Sequence, residues 1–202
     1  MVENAETAFP GVILAGGQSR RMGGGDKCLL PLAGRPVLAH VIDRIRPQVA
    51  ALVLNANGDT ARFAGFGLSV IADDLPDYAG PLAGILAGMD WAAEAQRPAS
   101  HILTVPADTP FLPRDLASRL SVGLNGSAVL ARSAGRVHPV VGLWPLARRH
   151  DLRTALRSEG LRKVEDWTGR IGAGFVDFDA TPIDPFFNLN TREDFATAER
   201  LA

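Results

Sequence analysis

Cysteine is almost absent. Cys28 is the only one in 202 residues, so the chain can form neither an internal disulfide nor a Cys-rich zinc site, and the cytoplasm is the expected compartment. Excess charge is missing as well. With 21 Lys and Arg against 22 Asp and Glu the formal charge is -1, which argues against a protein that binds nucleic acid by neutralising phosphates; any anion must be held locally. No apolar run approaches the roughly 20 residues that cross a bilayer as a helix, so no contact with a membrane is expected. Met1 to Phe9 carries Glu3 and Glu6 and lacks a basic cluster followed by an apolar run, so it does not read as a secretory signal. Fixed-period repeats and linker-like low-complexity segments are also lacking.

What is present is enough apolar content, 47%, to bury one sizeable core, and a single domain over residues 1–202 is expected. Gly11 to Leu14, Ala51 to Asn55, Leu68 to Ile71 and His101 to Val105 are brief apolar runs of the kind that form parallel strands covered on both faces. Between them, Val37, Leu38, Val41, Ile42 and Ile45 mark one face of a helix with Pro36 at its first position, and Leu82, Ile85, Leu86 and Met89 repeat the spacing after Pro81. Ser127 to Ala131 and Val137 to Leu143 read as a hairpin turning through Gly135. Leu146 to Trp167 reads as helix interrupted near Gly160, Gly174 to Phe178 as a strand, and Thr191 to Leu201 as a last helix. The fold class is therefore α/β: a doubly wound, mostly parallel but mixed sheet with helices on both faces, whose ligands bind beyond the carboxyl ends of the strands.

The segment after the first strand obeys that rule. Leu14-Ala15-Gly16-Gly17-Gln18-Ser19-Arg20-Arg21-Met22-Gly23-Gly24-Gly25-Asp26-Lys27 combines glycines, which bring N–H groups close to an anion, with three cations, Arg20, Arg21 and Lys27. It can cradle a polyphosphate. It is not a Walker A loop, because Asp26 separates Gly25 from Lys27 and Cys28 stands where Ser or Thr belongs, and it lacks the third glycine of the dinucleotide fingerprint. A long loop at this position usually has a function, which weighs against an unliganded Gly/Arg loop. Asp108, in Val105-Pro106-Ala107-Asp108-Thr109-Pro110, follows a strand directly and reads equally as a Mg²⁺ ligand or as a cap on the turn into the helix after Pro113. Phe186-Phe187-Asn188-Leu189-Asn190-Thr191 puts two asparagines on one face of an extended segment, although Asn190 with Glu193 also reads as a helix-starting cap.

Leu14-Ala15-Gly16-Gly17, Ser19-Arg20-Arg21-Met22-Gly23 and Asp26-Lys27 resemble the signature of nucleotidyltransferases of the molybdenum cofactor guanylyltransferase (MobA) type, and the resemblance extends over nearly the whole chain. It implies a Rossmann-like nucleotidyltransferase with a nucleotide-binding N-terminal half and an acceptor-binding C-terminal half. The phosphate of molybdopterin, with or without molybdenum, would attack the α-phosphorus of GTP and expel pyrophosphate. Lys27, Asp108 and Arg21 would be catalytic. Leu14, Ala15, Gly16, Gly17, Lys27, Asn55, Asp73 and Asp108 would contact the nucleotide, and Asp108 would bind Mg²⁺. Asn188, Asn190 and His138 would hold the acceptor. Related cytidylyl and sugar-phosphate enzymes tend to carry Ala-Ala-Gly where this chain has Ala15-Gly16-Gly17, so the resemblance favours guanine. A carboxylate can read the N1–H and N2 amine edge of that base.

The residues alone leave other accounts open: Asn55 as a strand-ending turn residue, Asp74 and Asp77 as a solvated acidic turn, and the Arg-rich stretch from Arg148 to Lys163 as a solvated helix face. The competing functions are a cytidylyl or sugar-1-phosphate nucleotidyltransferase on the same scaffold and a catalytically inert nucleotide-binding module. A phosphate acceptor is already a dianion near neutral pH, so neither a Ser-His-Asp nor a Cys-His arrangement is required. Transient contact with proteins of molybdenum cofactor biosynthesis, or with target proteins, completes the expected partners.

Overall fold

The computed structural model describes residues 9–16, 26–75, 80–95 and 99–201. Gly17 and Arg21 therefore lie outside the described residues, as do Arg20 and Asp77.

In chain order the elements are β1 (Gly11–Leu14), the two-residue strands β2 (Pro31–Leu32) and β3 (Arg35–Pro36), α1 (Val37–Ile45), β4 (Leu52–Asn55) and β5 (Ser69–Ile71). There follow α2 (Pro81–Glu94), β6 (His101–Pro106), α3 (Leu116–Val122), β7 (Val129–Ser133), β8 (Arg136–Pro145), α4 (Arg149–Glu159), α5 (Val164–Ile171), β9 (Gly174–Phe178) and α6 (Arg192–Glu199). Seven strands form one sheet in the order β5-β4-β1-β6-β8-β7-β9, while β2 and β3 pair only with each other. β1, β4, β5 and β6 are mutually parallel. β8 runs antiparallel to both β6 and β7, and β9 is parallel to β7, so the sheet is mixed as the sequence implied.

Alternation along the strands divides the core between the two faces of the sheet. Ile13, Leu54, Leu103 and Val105 point towards α1 and α3, where Leu38, Val41, Ile45, Leu116 and Leu120 are buried against them. Val12, Val53, Ile102 and Trp144 point the other way, onto Leu82, Ile85, Leu86 and Met89 of α2, Leu152 of α4 and Trp167 of α5. Each such side chain is worth about 1.5–3 kcal/mol of transfer free energy, which is why strands this short hold their positions.

Three boundaries differ from the sequence reading, each for a local reason. Pro36 pairs with Pro31 in the β2–β3 hairpin and is extended, φ -55° and ψ 141°, so it precedes α1 instead of opening it. The last helix is capped by Thr191, which accepts from the Asp194 amide at 3.1 Å while the Asp194 carboxylate accepts from the Thr191 amide at 2.8 Å. The Asn190–Glu193 cap does not form. Asp108 does not start the next helix either; Asp115 stands immediately before α3.

α2 lies close to the sheet because of its glycines. A Cβ on Gly88 would sit 2.6 Å from Val12 Cγ2 and 3.2 Å from Ile102 Cδ1, and one on Gly84 would sit 2.3 Å from Asn55 Oδ1. Real side chains do not come that near. Gly88→Val should therefore push α2 off β1, with an expected loss of about 1–3 kcal/mol seen as a lower urea midpoint in equilibrium unfolding; an unchanged midpoint would show that the helix has room to move.

Candidate active site

From β1 the chain proceeds to one side of the sheet through α1 and β4, and later returns to its other side at β6. The register aligns the carboxyl ends: Leu14 is level with Asn55 and Pro106, and Asn55 with Ile71. Adjacent strands whose connections leave in opposite directions create a crevice between their ends. A cavity of about 840 Å³ opens there, within the range of small-molecule sites.

The cavity collects most of the candidate residues: Leu14, Ala15, Gly16, Lys27, Asn55, Asp73, Asp108, Asn188 and Asn190 all line it. Lys27 opens a single 3-10 turn, Lys27–Leu29, just beyond the glycine-rich segment. Its ammonium donates to Asn190 Oδ1 at 3.0 Å, a contact possible because Thr191 and not Asn190 caps α6. Thr109 Oγ1 donates to Asn188 Oδ1 at 2.7 Å, and the Leu189 amide donates to the Asp108 carbonyl at 3.0 Å. Asn188 and Asn190 are thus bound across the crevice to the β6 turn and to Lys27.

Asp108 stands on the β6 side. Its carboxyl is held above the ordinary carboxylate range chiefly by burial, against the opposing pull of its own backbone N–H and of the Lys27 ammonium. Among the described residues no side chain forms a hydrogen bond or an ion pair with it. A partly buried carboxylate without a direct side-chain partner leaves room for a cation. No group of three His, Cys, Asp or Glu able to hold a metal occurs among the described residues, so a cation here would draw its remaining ligands from substrate oxygens and water.

Asp73 is held quite differently. Its Oδ1 accepts from Asn55 Nδ2 at 2.9 Å, its Oδ2 from Asn57 Nδ2 at 2.8 Å, and its amide donates to Asn57 Oδ1 at 2.9 Å. Asn55 is thus more than a turn residue: it is buried, and Gly84 makes the space for its amide. A Cβ on Gly16 would lie an ordinary 3.8 Å from Asn55 Oδ1, so protein packing does not demand glycine there and its smallness adds room to the cavity. Asn57, Arg62, Thr109 and Gly84 were not picked out from the sequence. The one available signal was the second Asn-x-Asn at 55 and 57, matching that at 188 and 190.

Other candidates lie elsewhere. His138 does not line the cavity; it is buried on β8, 4.5 Å centroid to centroid from Phe186 and 2.7 Å from Ser133 Oγ. Burial lowers its pKa, against the opposing charge of Asp184. Ser133 Oγ also donates to Asp184 Oδ1 at 2.9 Å, which ties the segment leading to Asn188 onto the β7–β8 hairpin. The basic run at the start of and along α4 is largely occupied by ion pairs, Arg153 with Asp74 and Asp90, Arg149 with Asp90, and Arg148, just before the helix, with Asp151. Cys28 lines the cavity yet is buried, and burial with the negative charge of Asp26 and Asp108 pushes its thiol up to about 12.

Residues 11–171 match the family model described as "MobA-like NTP transferase domain". The chain belongs to this family. It is 55% identical over 205 residues to the molybdenum cofactor guanylyltransferase of Bradyrhizobium sp. (strain ORS 278), covering 100% of this chain and 97% of that protein. The fold is shared with molybdopterin-guanine dinucleotide biosynthesis protein A of Archaeoglobus fulgidus, at a TM-score of 0.69 and 22% identity over 96% of this chain and 98% of that one. It is shared as well with Mycobacterium tuberculosis Rv0371C, crystallised in complex with manganese, at a TM-score of 0.70 and 19% identity over 96% and 99% of the two chains. The MobA-like chain is a nucleotidyltransferase with a mixed α/β sheet, and among its described residues no helix is long and apolar enough to cross a membrane.

Two expectations follow from these environments. Cys28 should resist iodoacetamide in the native protein at pH 8 and react once unfolded in urea, as followed by mass spectrometry; rapid native labelling would contradict its burial. Because folding raises the Asp108 pKa above 3.8, the folded state holds that proton more tightly, and stability is lost as pH rises through the interval above 3.8. At neutral pH and in chelator, Asp108→Asn should therefore melt at the same temperature as the parent or higher, and a clearly lower Tm would contradict the assignment.

Proposed function

We propose that this chain transfers GMP from GTP to the phosphate of molybdopterin, forming the guanine dinucleotide cofactor and pyrophosphate, with Mg²⁺ as the working cation and the cytoplasm as its place of action. The observation that carries this reading is the meeting, in one cavity at the sheet's switch point, of Lys27, Asp108 and the Asn188–Asn190 pair. The names of the full-length relatives point the same way, and the manganese complex of Rv0371C supports a divalent cation.

Attack by a phosphate oxygen on the α-phosphorus forms a new P–O bond while the bond to the pyrophosphate oxygen breaks, and the electron pair leaves with pyrophosphate. The attacking group is already ionised near neutral pH, so no general base is needed; the difficulty is bringing two anions together. Lys27 offsets that repulsion on one wall of the cavity. Asp108 would hold the cation on the other, and the bound cation would supply charge neutralisation at the triphosphate. Asn190, already bonded to Lys27, and Asn188, bonded to Thr109, present amide groups to the acceptor side. Arg21, from the glycine-rich segment, would add further positive charge. His138 acts on the acceptor at one remove, through Ser133 and the Asp184 segment, and not by contact.

In this reading residues 1–202 work as one unit, the N-terminal half binding nucleotide and the C-terminal half the acceptor, since the seven-stranded sheet draws strands from both. Lys27→Ala and Asp108→Ala should each reduce single-turnover, GTP-dependent pyrophosphate release with molybdopterin and Mg²⁺ by roughly 10²–10³-fold, with unchanged circular dichroism. Near-parental rates in both variants would remove the proposal.

A further inference from the structure

Arg62 is the best-anchored cation of the cavity and belongs to none of the motifs read from the sequence. Its guanidinium makes three separate attachments: Nε to the carboxylate of Asp26, Nη1 to the Asp59 carbonyl, and Nη2 to the Asn57 carbonyl at 2.9 Å. Its guanidinium lies over the Phe63 ring, 4.5 Å from guanidinium carbon to centroid, and Phe63 itself is buried. With its donors directed to these acceptors, Arg62 is a fixed strut between the residue before Lys27 and the residue that grips Asp73.

Asn57 is the other half of the device. It is fastened to Asp73 by two hydrogen bonds in opposite senses, its Nδ2 donating to the carboxylate and its Oδ1 accepting from the Asp73 amide. Asn55 takes the remaining carboxylate oxygen. An ionised carboxylate offers about four lone-pair directions, so among the described residues each oxygen of Asp73 has one acceptor direction taken and one left while the group is held from both sides. Two parallel acceptors at fixed spacing are the complement of two adjacent N–H donors. Guanine carries such donors at N1 and N2; adenine and cytosine set a ring-nitrogen acceptor beside their amine, and uracil has a single N–H between two carbonyls.

We propose that Asn57, anchored by Arg62, is the positioning residue that sets Asp73 as the reader of the guanine edge, and that Arg62 couples base selection to the placement of Lys27 through Asp26. This rests on the guanylyl-transfer reading and extends it to residues that do not themselves touch the reacting phosphates. The absent second carboxamide in Asn57→Ala frees the Asp73 carboxylate to rotate and to exchange an Asn donor for water, so the paired acceptors are lost. Arg62→Lys keeps the charge but cannot reach three acceptors at once.

The test is nucleotide selectivity, measured as the ratio of kcat/KM for GTP to that for ATP and for CTP, in the parent, Asn57→Ala, Arg62→Lys and Asp26→Asn, with Tm recorded for each. Asn57→Ala is expected to cut the GTP/ATP ratio roughly tenfold or more through a raised KM for GTP, the scale of a charge-assisted hydrogen bond. Arg62→Lys should reduce both the ratio and kcat, whereas Asp26→Asn should lower kcat with the ratio retained. A parental ratio in Asn57→Ala and Arg62→Lys, whether or not Tm falls, would make these residues structural only and overturn the proposal. A parent enzyme without GTP preference would instead overturn the guanylyl reading on which it stands, so the two failures are distinguishable.

Discussion

β1 is four residues long and is hydrogen-bonded along both edges, to β4 on one side and β6 on the other. This double pairing fixes Leu14, Asn55 and Pro106 at one level, and the turns that follow them have nowhere to go except around a common space. Val12 and Ile13, fully buried on opposite faces, prevent β1 from sliding, because a shift of one residue would exchange the two faces of the core. Precise placement of groups on loops is thus inherited from the most tightly held strand, not from the loops themselves.

Three carboxylates share the cavity and each is compensated in its own way. Asp26 is paired with a guanidinium, Asp73 with two neutral carboxamides, and Asp108 with no side chain among the described residues. Ion pairing neutralises a carboxylate, carboxamides orient it while leaving its charge in place, and one without a direct side-chain partner leaves room for a cation. In the proposed reading the same functional group, repeated in one crevice, serves as a structural tie, a hydrogen-bond acceptor pair and a cation seat without any change of residue type.

Much of this was legible from the sequence, because the governing signals are local or topological. The apolar runs from Gly11, His101 and Gly174 became strands within a residue or two of their expected ends, and Gly135 with Ala134, at φ 76° and 46°, turns the β7–β8 hairpin as its composition suggested. The rule that ligands gather at carboxyl ends pointed to the Lys27 loop and to Asp108, whereas Asn55 came only from the family resemblance and on the residues alone read as a turn residue; the structure sets all three around one cavity. What escaped depended on single-residue offsets or on distant partners. Thr191 competes with Asn190 for the cap and wins because Asp194 answers it, which no spacing argument distinguishes from Glu193 answering Asn190. His138 is carried inward by its contact with Phe186, and Arg62 looks like any surface arginine until Asp26, thirty-six positions earlier, is brought beside it.

The bridge from Asn188 and Asn190 to Thr109 and Lys27 has a consequence for how the molecule is made. A nascent chain that has emerged as far as β8 already holds β1, β4 and β6 and with them both the lysine and the carboxylate walls. The amides that close the crevice arrive much later, after β9. Synthesis therefore delivers the residues of an open, half-walled vessel before those that shut it, so a polypeptide halted between β8 and Asn188 carries Lys27 and Asp108 without the bridge from Asn188 and Asn190.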